Sequence, residues 1–213
     1  MTGGGQISYV NYSCVYGLDP TDIRDLSRGE MECRQYVMDI YKYLKSHFTE
    51  LKDTEVASIA PEIGFRDSRR IDGLYHLTIE DMEGRKHFDD VIAVFPRFYD
   101  MLAPDANMDG DGKVEGKGYV GHIYEPVVDD RTFEIPYRTM VPKAVDNLLT
   151  AGRCISADHV AESGTRAISL CMMTGEAAGA AAAVAIRSGK KPADICVPEL
   201  QKILISQNIK LPL

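Results

Sequence analysis

The sequence predicts an α/β chain with an α+β first part, and three observations carry that expectation. Short β-prone runs alternate with segments of helical spacing. The composition is that of a folded chain, with 45% apolar and 26% charged residues over a length of 213; it excludes fibrous and disordered classes. The stretch after residue 130 differs from the rest, passing from an apolar run through a glycine turn into a helix rich in glycine and alanine.

Residues 6–16 (QISYVNYSCVY) alternate polar and β-prone side chains and read as a strand. A turn holding Asp19-Pro20 leads to a helix. Ser27 is its expected N-cap, Glu30 completes a capping box, and Leu26 and Met31 form the staple across it. Apolar residues at Cys33, Val37, Ile40, Leu44 and Phe48 continue the helical spacing to about His47. Residues 54–60 read as a short strand. The cluster Phe65-Arg66-Asp67-Ser68-Arg69-Arg70-Ile71 follows, and Thr78 through Asp81 is a second capping signal. Residues 91–95 are strand-like, 104–121 form a loop or hairpin tip, and 133–137 return to strand character with Pro136 at its end. Residues 147–151 (NLLTA) read as a strand ending in Gly152-Arg153. A polar loop follows, then one helix from about Thr165 to Arg187. Ser188-Gly189 stops that helix, and a last one starts near Pro198 with Leu200, Ile203 and Leu204 as its apolar stripe.

The formal charge of −8 argues against a nucleic-acid or anionic-membrane surface. The longest small and apolar stretch, 177–186, falls short of the ~20 residues of a spanning helix, so no membrane span is expected. The cysteines 14, 33, 154, 171 and 196 contain no CxxC, which leaves no zinc or iron–sulfur ligand set, and their spacing suits reduced thiols in a cytoplasm. Asp105, Asn107, Asp109 and Gly110 imitate the start of a calcium loop, but Gly116 stands where the closing glutamate is needed. No metal is expected.

A strand, a glycine turn and a small-residue helix form the arrangement in which a nucleotide lies against a helix N-terminus, whose unsatisfied amides and dipole attract negative charge. Gly164, Thr165 and Arg166 are the expected donors; a buried helix packed on a sheet is the alternative.

Residues 135–185, with the ordered blocks IPYR, VPKAVDNLLTAGRCIS, His159, Arg166, and TGEAAGAAAA, resemble the C-terminal part of the FAD-dependent oxidoreductase family, related to the fumarate-reductase-like flavoproteins. Residues 63–93 (IGFRDSRRIDGLYHLTIEDMEGRKHFDDVIA) resemble a further block of that family. The resemblance implies a substrate-side domain over 1–130 and the C-terminal part of a FAD-binding domain over 131–213, with a mixed or antiparallel substrate sheet. Family members begin with a strand, a GxGxxG turn and a helix that hold the pyrophosphate. Gly3-Gly4-Gly5 is not that turn, because the following ISYVNY is not a helix. The chain is therefore read as lacking the Rossmann start, with an incomplete Rossmann-like domain.

The resemblance also implies residue roles. Ala151, Gly152 and Arg153 match the turn against the ribityl chain. Gly164, Thr165 and Arg166 match a helix start facing the flavin pyrimidine edge, where a guanidinium stabilises developing negative charge. Arg69 is the favoured substrate-binding arginine, with ion pairing to Glu62, Asp67 or Asp72 as the alternative for its cluster. His159 would be a general base. Arg69, His159 and Arg166 thus form the expected catalytic set. The implied activity is hydride transfer between a small organic substrate and the flavin of FAD. The alternative is a non-catalytic subunit or gene remnant that binds no flavin alone and docks onto a partner chain carrying the nucleotide-binding half. A yellow or colourless preparation would discriminate the two.

Overall fold

The computed structural model describes residues 14–96, 107–108, 114–115 and 132–212. Its elements are helix α1 (Ile23–His47), helix α2 (Ile79–Glu83), strand β1 (Val91–Pro96), strands β2 (Asn107–Met108) and β3 (Val114–Glu115), strand β4 (Thr132–Pro136), and helices α3 (His159–Thr165), α4 (Ile168–Ser188) and α5 (Val197–Ser206). Short 3-10 turns lie between several of them. Helices with small antiparallel sheets make a mixed α/β chain: β1 pairs with β4, and β2 with β3. The chain divides into two compact units between Ser68 and Arg69.

In the first unit α1 dominates. Asp22, not Ser27, is its N-cap: the Asp22 carboxylate accepts the Arg24 amide at 2.8 Å. Ser27 lies one turn inside the helix, where its hydroxyl donates to the Ile23 carbonyl at 2.9 Å. Glu30 closes no capping box either; it accepts the Ile63 amide at 2.6 Å and pairs with Arg34. The helix ends at His47, as its spacing predicts. Residues 54–60 form no strand, and of the strand expected over 6–16 residues 6–13 lie outside the described residues while 14–16 are not strand. The calcium-like loop is mostly outside the described residues too.

The second unit holds the buried core. Phe133 and Ile135 of β4 and Ile92 of β1 are almost wholly enclosed, together with Leu77, Met82, Met140, Ile155, Leu170, Leu200 and Leu204. The β1–β4 register pairs Ala93 with Ile135 and Phe95 with Phe133, with an irregularity between Val91 and Ala93. Thr78 and Asp81 make the expected capping box at α2. Gln201 of α5 donates to the carbonyls of Asp89 and Val91, at 2.8 and 3.1 Å, and so ties that helix to β1.

Two parts of the sequence reading change here. Residues 147–151 are not a strand; Asn147 has a φ of +56°, which breaks extended pairing. The glycines of α4 do not mediate its packing. Leu170, Thr174, Ala177, Ala181, Val184 and Ala185 face inward, whereas a Cβ added at Gly175 or Gly179 would meet nothing within 4 Å. Close approach to β1 and α5 is served by alanines, because a methyl group is small enough. With 21 residues, α4 is by length and composition long enough to cross a membrane, contrary to the reading of 177–186 alone; core helices meet the same criterion.

Candidate functional site: a glycine turn against the start of a long helix

The segment 71–77 lies between two stretches of the same unit. Its amides at Leu74 and Tyr75 donate to Val141 and Arg138, while those at Ile71 and Leu77 donate to Cys154 and Ser156. Gly73 permits this crowding: a Cβ there would stand 2.7 Å from the Ser156 Cβ and 3.1 Å from the Thr139 carbonyl oxygen. The Nδ1 of His76 lies 3.1 Å from the Oγ of buried Ser156.

These contacts fix the turn at Gly152–Cys154. Ala151 precedes it in extended conformation, and Gly152 has a φ of +70°, a region that favours glycine. Its amide donates to the Oγ1 of Thr174 at 2.9 Å. A Cβ at Gly152 would stand 3.3 Å from the Cys171 sulfur. The need for glycine visible here thus comes from backbone angle and from the first turns of α4. Burial pushes the Cys171 thiol up, and the nearby Glu162 charge adds to this, against the opposing pull of Arg153.

The expected helix from Thr165 to Arg187 is two helices. Asp158 caps α3, accepting the Ala161 amide at 2.7 Å and also the Ile79 amide at 2.8 Å. Gly164 and Thr165 occupy the last turn of α3 and are buried, and Arg166 is its C-cap, with its amide donating to Glu162. Ala167, at ψ 137°, separates the helices. The electrostatic argument for Arg166 therefore reverses sign. A cation at a helix C-terminus is favoured by the dipole, and this guanidinium already faces an anion, the Glu162 carboxylate at 3.3 Å, with only 13% and 1% of the two side chains exposed. The free helix N-terminus is three residues later. Ala167 provides no side-chain cap, and Ile168 and Ser169 are exposed at the start of α4.

The turn and the α3–α4 junction come together through Cys171, whose thiol faces the carbonyls of Arg166 and Thr165 at 3.5 and 3.9 Å. Arg153 is exposed on the turn. Arg69 is exposed two residues before Ile71, whose amide holds the Cys154 carbonyl at 3.0 Å. His159 opens α3, roughly 10 Å of helix away from its Arg166 end. Cys171 and Thr174 seat the glycine turn, and the sequence signal for them is their i, i+3 spacing on one side of α4. Among the described residues, no group of three or more His, Cys, Asp or Glu side chains is placed to hold a metal ion.

The profile of the family described as FAD dependent oxidoreductase matches residues 5–204. The chain belongs to that family. Comparison with curated proteins gave no match. Comparison with solved structures gave none either. Membership implies FAD and a flavin-linked redox role. The donor set is compatible with an electron-rich group of such a cofactor: an uncapped amide terminus lies beside a turn with its glycine in left-handed conformation. One sequence expectation needs correction. The GxGxxG spacing does occur, as Gly116-Lys117-Gly118-Tyr119-Val120-Gly121, outside the described residues. The residues that follow it, HIYEPVVDD, carry Pro126 and no helical period, so the sequence gives this spacing no strand–turn–helix signal.

Proposed function

We propose that this chain supplies the ring-side part of a FAD site and, when complete with a nucleotide-binding half, transfers hydride between a small organic substrate and the flavin. The observation that carries this is the uncapped start of α4 beside the Gly152–Cys154 turn. When bound, FAD supplies the hydride-accepting centre. The amides of Ile168 and Ser169 would take the role that the resemblance gives to Gly164, Thr165 and Arg166: they would donate to the electron-rich edge of the ring, where helix dipole and unsatisfied N–H groups favour negative charge. Ala151, Gly152 and Arg153 line the same turn and would bear on the ribityl chain. Arg166 fixes the α3–α4 junction through Glu162. Arg69 would bind a substrate oxyanion, and His159 would hold the proton leaving a substrate hydroxyl or amine. A cytoplasmic setting suits the five free thiols.

A second reading is supported by the outer side of α4. Ile168, Met172 and Ile186 are 82%, 70% and 82% exposed, in line with the open Gly175 and Gly179. An apolar side of that kind suits docking of a nucleotide-binding polypeptide, and on this reading the chain alone binds FAD weakly.

Fluorescence titration with lumiflavin and with FAD tests both readings. The expected result is saturable lumiflavin binding, with FAD little tighter, since among the described residues no glycine turn joins a strand to a helix in the arrangement that holds a pyrophosphate. Ile168→Pro sharpens it. Proline is tolerated at the first helical position and Ala167 already has the ψ it requires, so the variant deletes one amide donor with the helix kept. Flavin binding should weaken by about 1–2 kcal/mol, the scale of one hydrogen bond. If neither flavin binds, the ring site is wrong; submicromolar FAD binding by the monomer ends the docking reading.

A further inference from the structure

We propose that Cys154 and Cys171 form a thiol pair that a small disulfide, such as oxidised glutathione, converts to an internal disulfide. The inference does not depend on flavin binding.

The turn that carries Cys154 is seated against Cys171. Gly152, two residues before Cys154 in the same 3-10 turn, would place a Cβ 3.3 Å from the Cys171 sulfur and 3.5 Å from its Cβ. The amide of Gly152 is anchored to Thr174, one turn further along α4. The turn is thus held at the Cys171 side of the helix from two directions. Cys154 is exposed and Cys171 partly covered, with its thiol directed at the Arg166 carbonyl. Arg153 immediately precedes Cys154 in sequence, and its positive charge works against the rise that burial imposes on the Cys171 thiol. Exposure assigns the order of attack: solvent-borne disulfide reaches Cys154 first, and Cys171 resolves.

The chemistry balances without a metal or further oxidant. The Cys154 thiolate attacks one sulfur of the small disulfide, forming a mixed disulfide and releasing one small thiol. The Cys171 thiolate then attacks the Cys154 sulfur, forming the internal S–S bond and releasing the second thiol. Each cysteine loses its proton to solvent, the protein is oxidised by two electrons, and the small disulfide is reduced by two. The resulting bond joins the glycine turn to the first turn of α4, closing a loop between positions seventeen apart. It would fix the turn against the helix start and so couple redox state to the geometry of this region.

Trypsin makes the test direct, because peptides 154–166 and 167–187 each contain one cysteine. The full chain is treated with oxidised glutathione at pH 8, alkylated and digested without reductant. The expected product is the two peptides joined, with a mass two hydrogens below their sum. Cys171→Ser should stop at a stable glutathione adduct on Cys154, whereas Cys154→Ser should leave Cys171 largely unmodified. A variant retaining these two cysteines alone, with Cys14, Cys33 and Cys196 changed to Ser, should form the same link and melt at a higher temperature when oxidised. Far-UV circular dichroism establishes that each variant is folded. Persistent glutathione on Cys154 of the wild-type chain, or linkage only between different molecules, overturns the proposal. So does pairing of either residue with Cys14, Cys33 or Cys196 in preference to the other.

Discussion

Helices α1 and α4 are of similar length, 25 and 21 residues, and are stabilised in different ways. Helix α1 has a side-chain N-cap, basic residues in its last turn and ion pairs along its surface, and Gly29 is its one buried residue. Helix α4 has no side-chain cap and no acid in its first turn, but encloses Leu170, Thr174, Ala177, Ala181, Val184 and Ala185. The first is written in local chemistry, the second in tertiary packing. The contrast extends to ion pairs of identical spacing. Glu30–Arg34 and Glu162–Arg166 are both i, i+4 pairs, at 3.2 and 3.3 Å, but the side chains of the first are 30% and 46% exposed and those of the second 1% and 13%.

The largest expected effect separates those two pairs. Arg166→Ala takes the guanidinium away from the buried Glu162 carboxylate, which should cost about 3–5 kcal/mol. Arg34→Ala in α1 should cost under about 1 kcal/mol, since water replaces the lost partner and salt already screens it. Urea unfolding of both variants at low and high salt measures this. Equal losses would mean that burial does not decide the value of the pair.

Next comes packing. Leu170 is fully enclosed at the start of α4, and Leu170→Ala should lose about 2–5 kcal/mol through burial and cavity terms. Met31 of α1 is 68% exposed, so Met31→Ala should stay within about 0.5 kcal/mol. Denaturant midpoints at unchanged slope provide the comparison; a large Met31 effect would show that α1 has an apolar contact its exposure hides.

The same division explains what the sequence discloses. The end of α1, the Thr78–Asp81 capping box and the stop at Gly189 are local signals, and each is realised; the strands expected over 91–95 and 133–137 form as 91–96 and 132–136, with Tyr137 already in a 3-10 turn. The break between α3 and α4 is not local. Arg166-Ala167-Ile168 contains neither proline, glycine nor a capping side chain. What supports the break is the Glu162–Arg166 pair, the enclosed α3 and the turn at Gly152, all of them long-range or buried. The glycine turn was legible as a special backbone position, but its partners Cys171 and Thr174 lie some twenty residues away and only folding brings them to it. The apolar run 147–151 shows the converse failure: strand-like composition without a partner strand does not make a strand.

The smallest effect tests the boundary of α1 itself. The sequence points to Ser27 as its N-cap, and the structure places Asp22 there. Asp22 has extended backbone, with φ −100° and ψ 121°, and its carboxylate accepts the Arg24 amide, an N–H that the helix cannot satisfy internally. Asp22→Ala therefore removes both a hydrogen bond and a negative charge at the positive end of the dipole, and should cost about 1 kcal/mol. Ser27 is already inside the helix and its hydroxyl bonds back to Ile23, a contact that competes with the helical backbone. Ser27→Ala should accordingly be neutral or stabilise by up to about 0.5 kcal/mol, because alanine is the better interior residue. Asp22→Asn should retain most of the cap while losing the charge, which separates hydrogen bonding from dipole. Amide exchange in the first turn of α1 reads the result residue by residue: faster exchange in Asp22→Ala and unchanged exchange in Ser27→Ala are expected. The opposite order would move the start of the helix to the later serine.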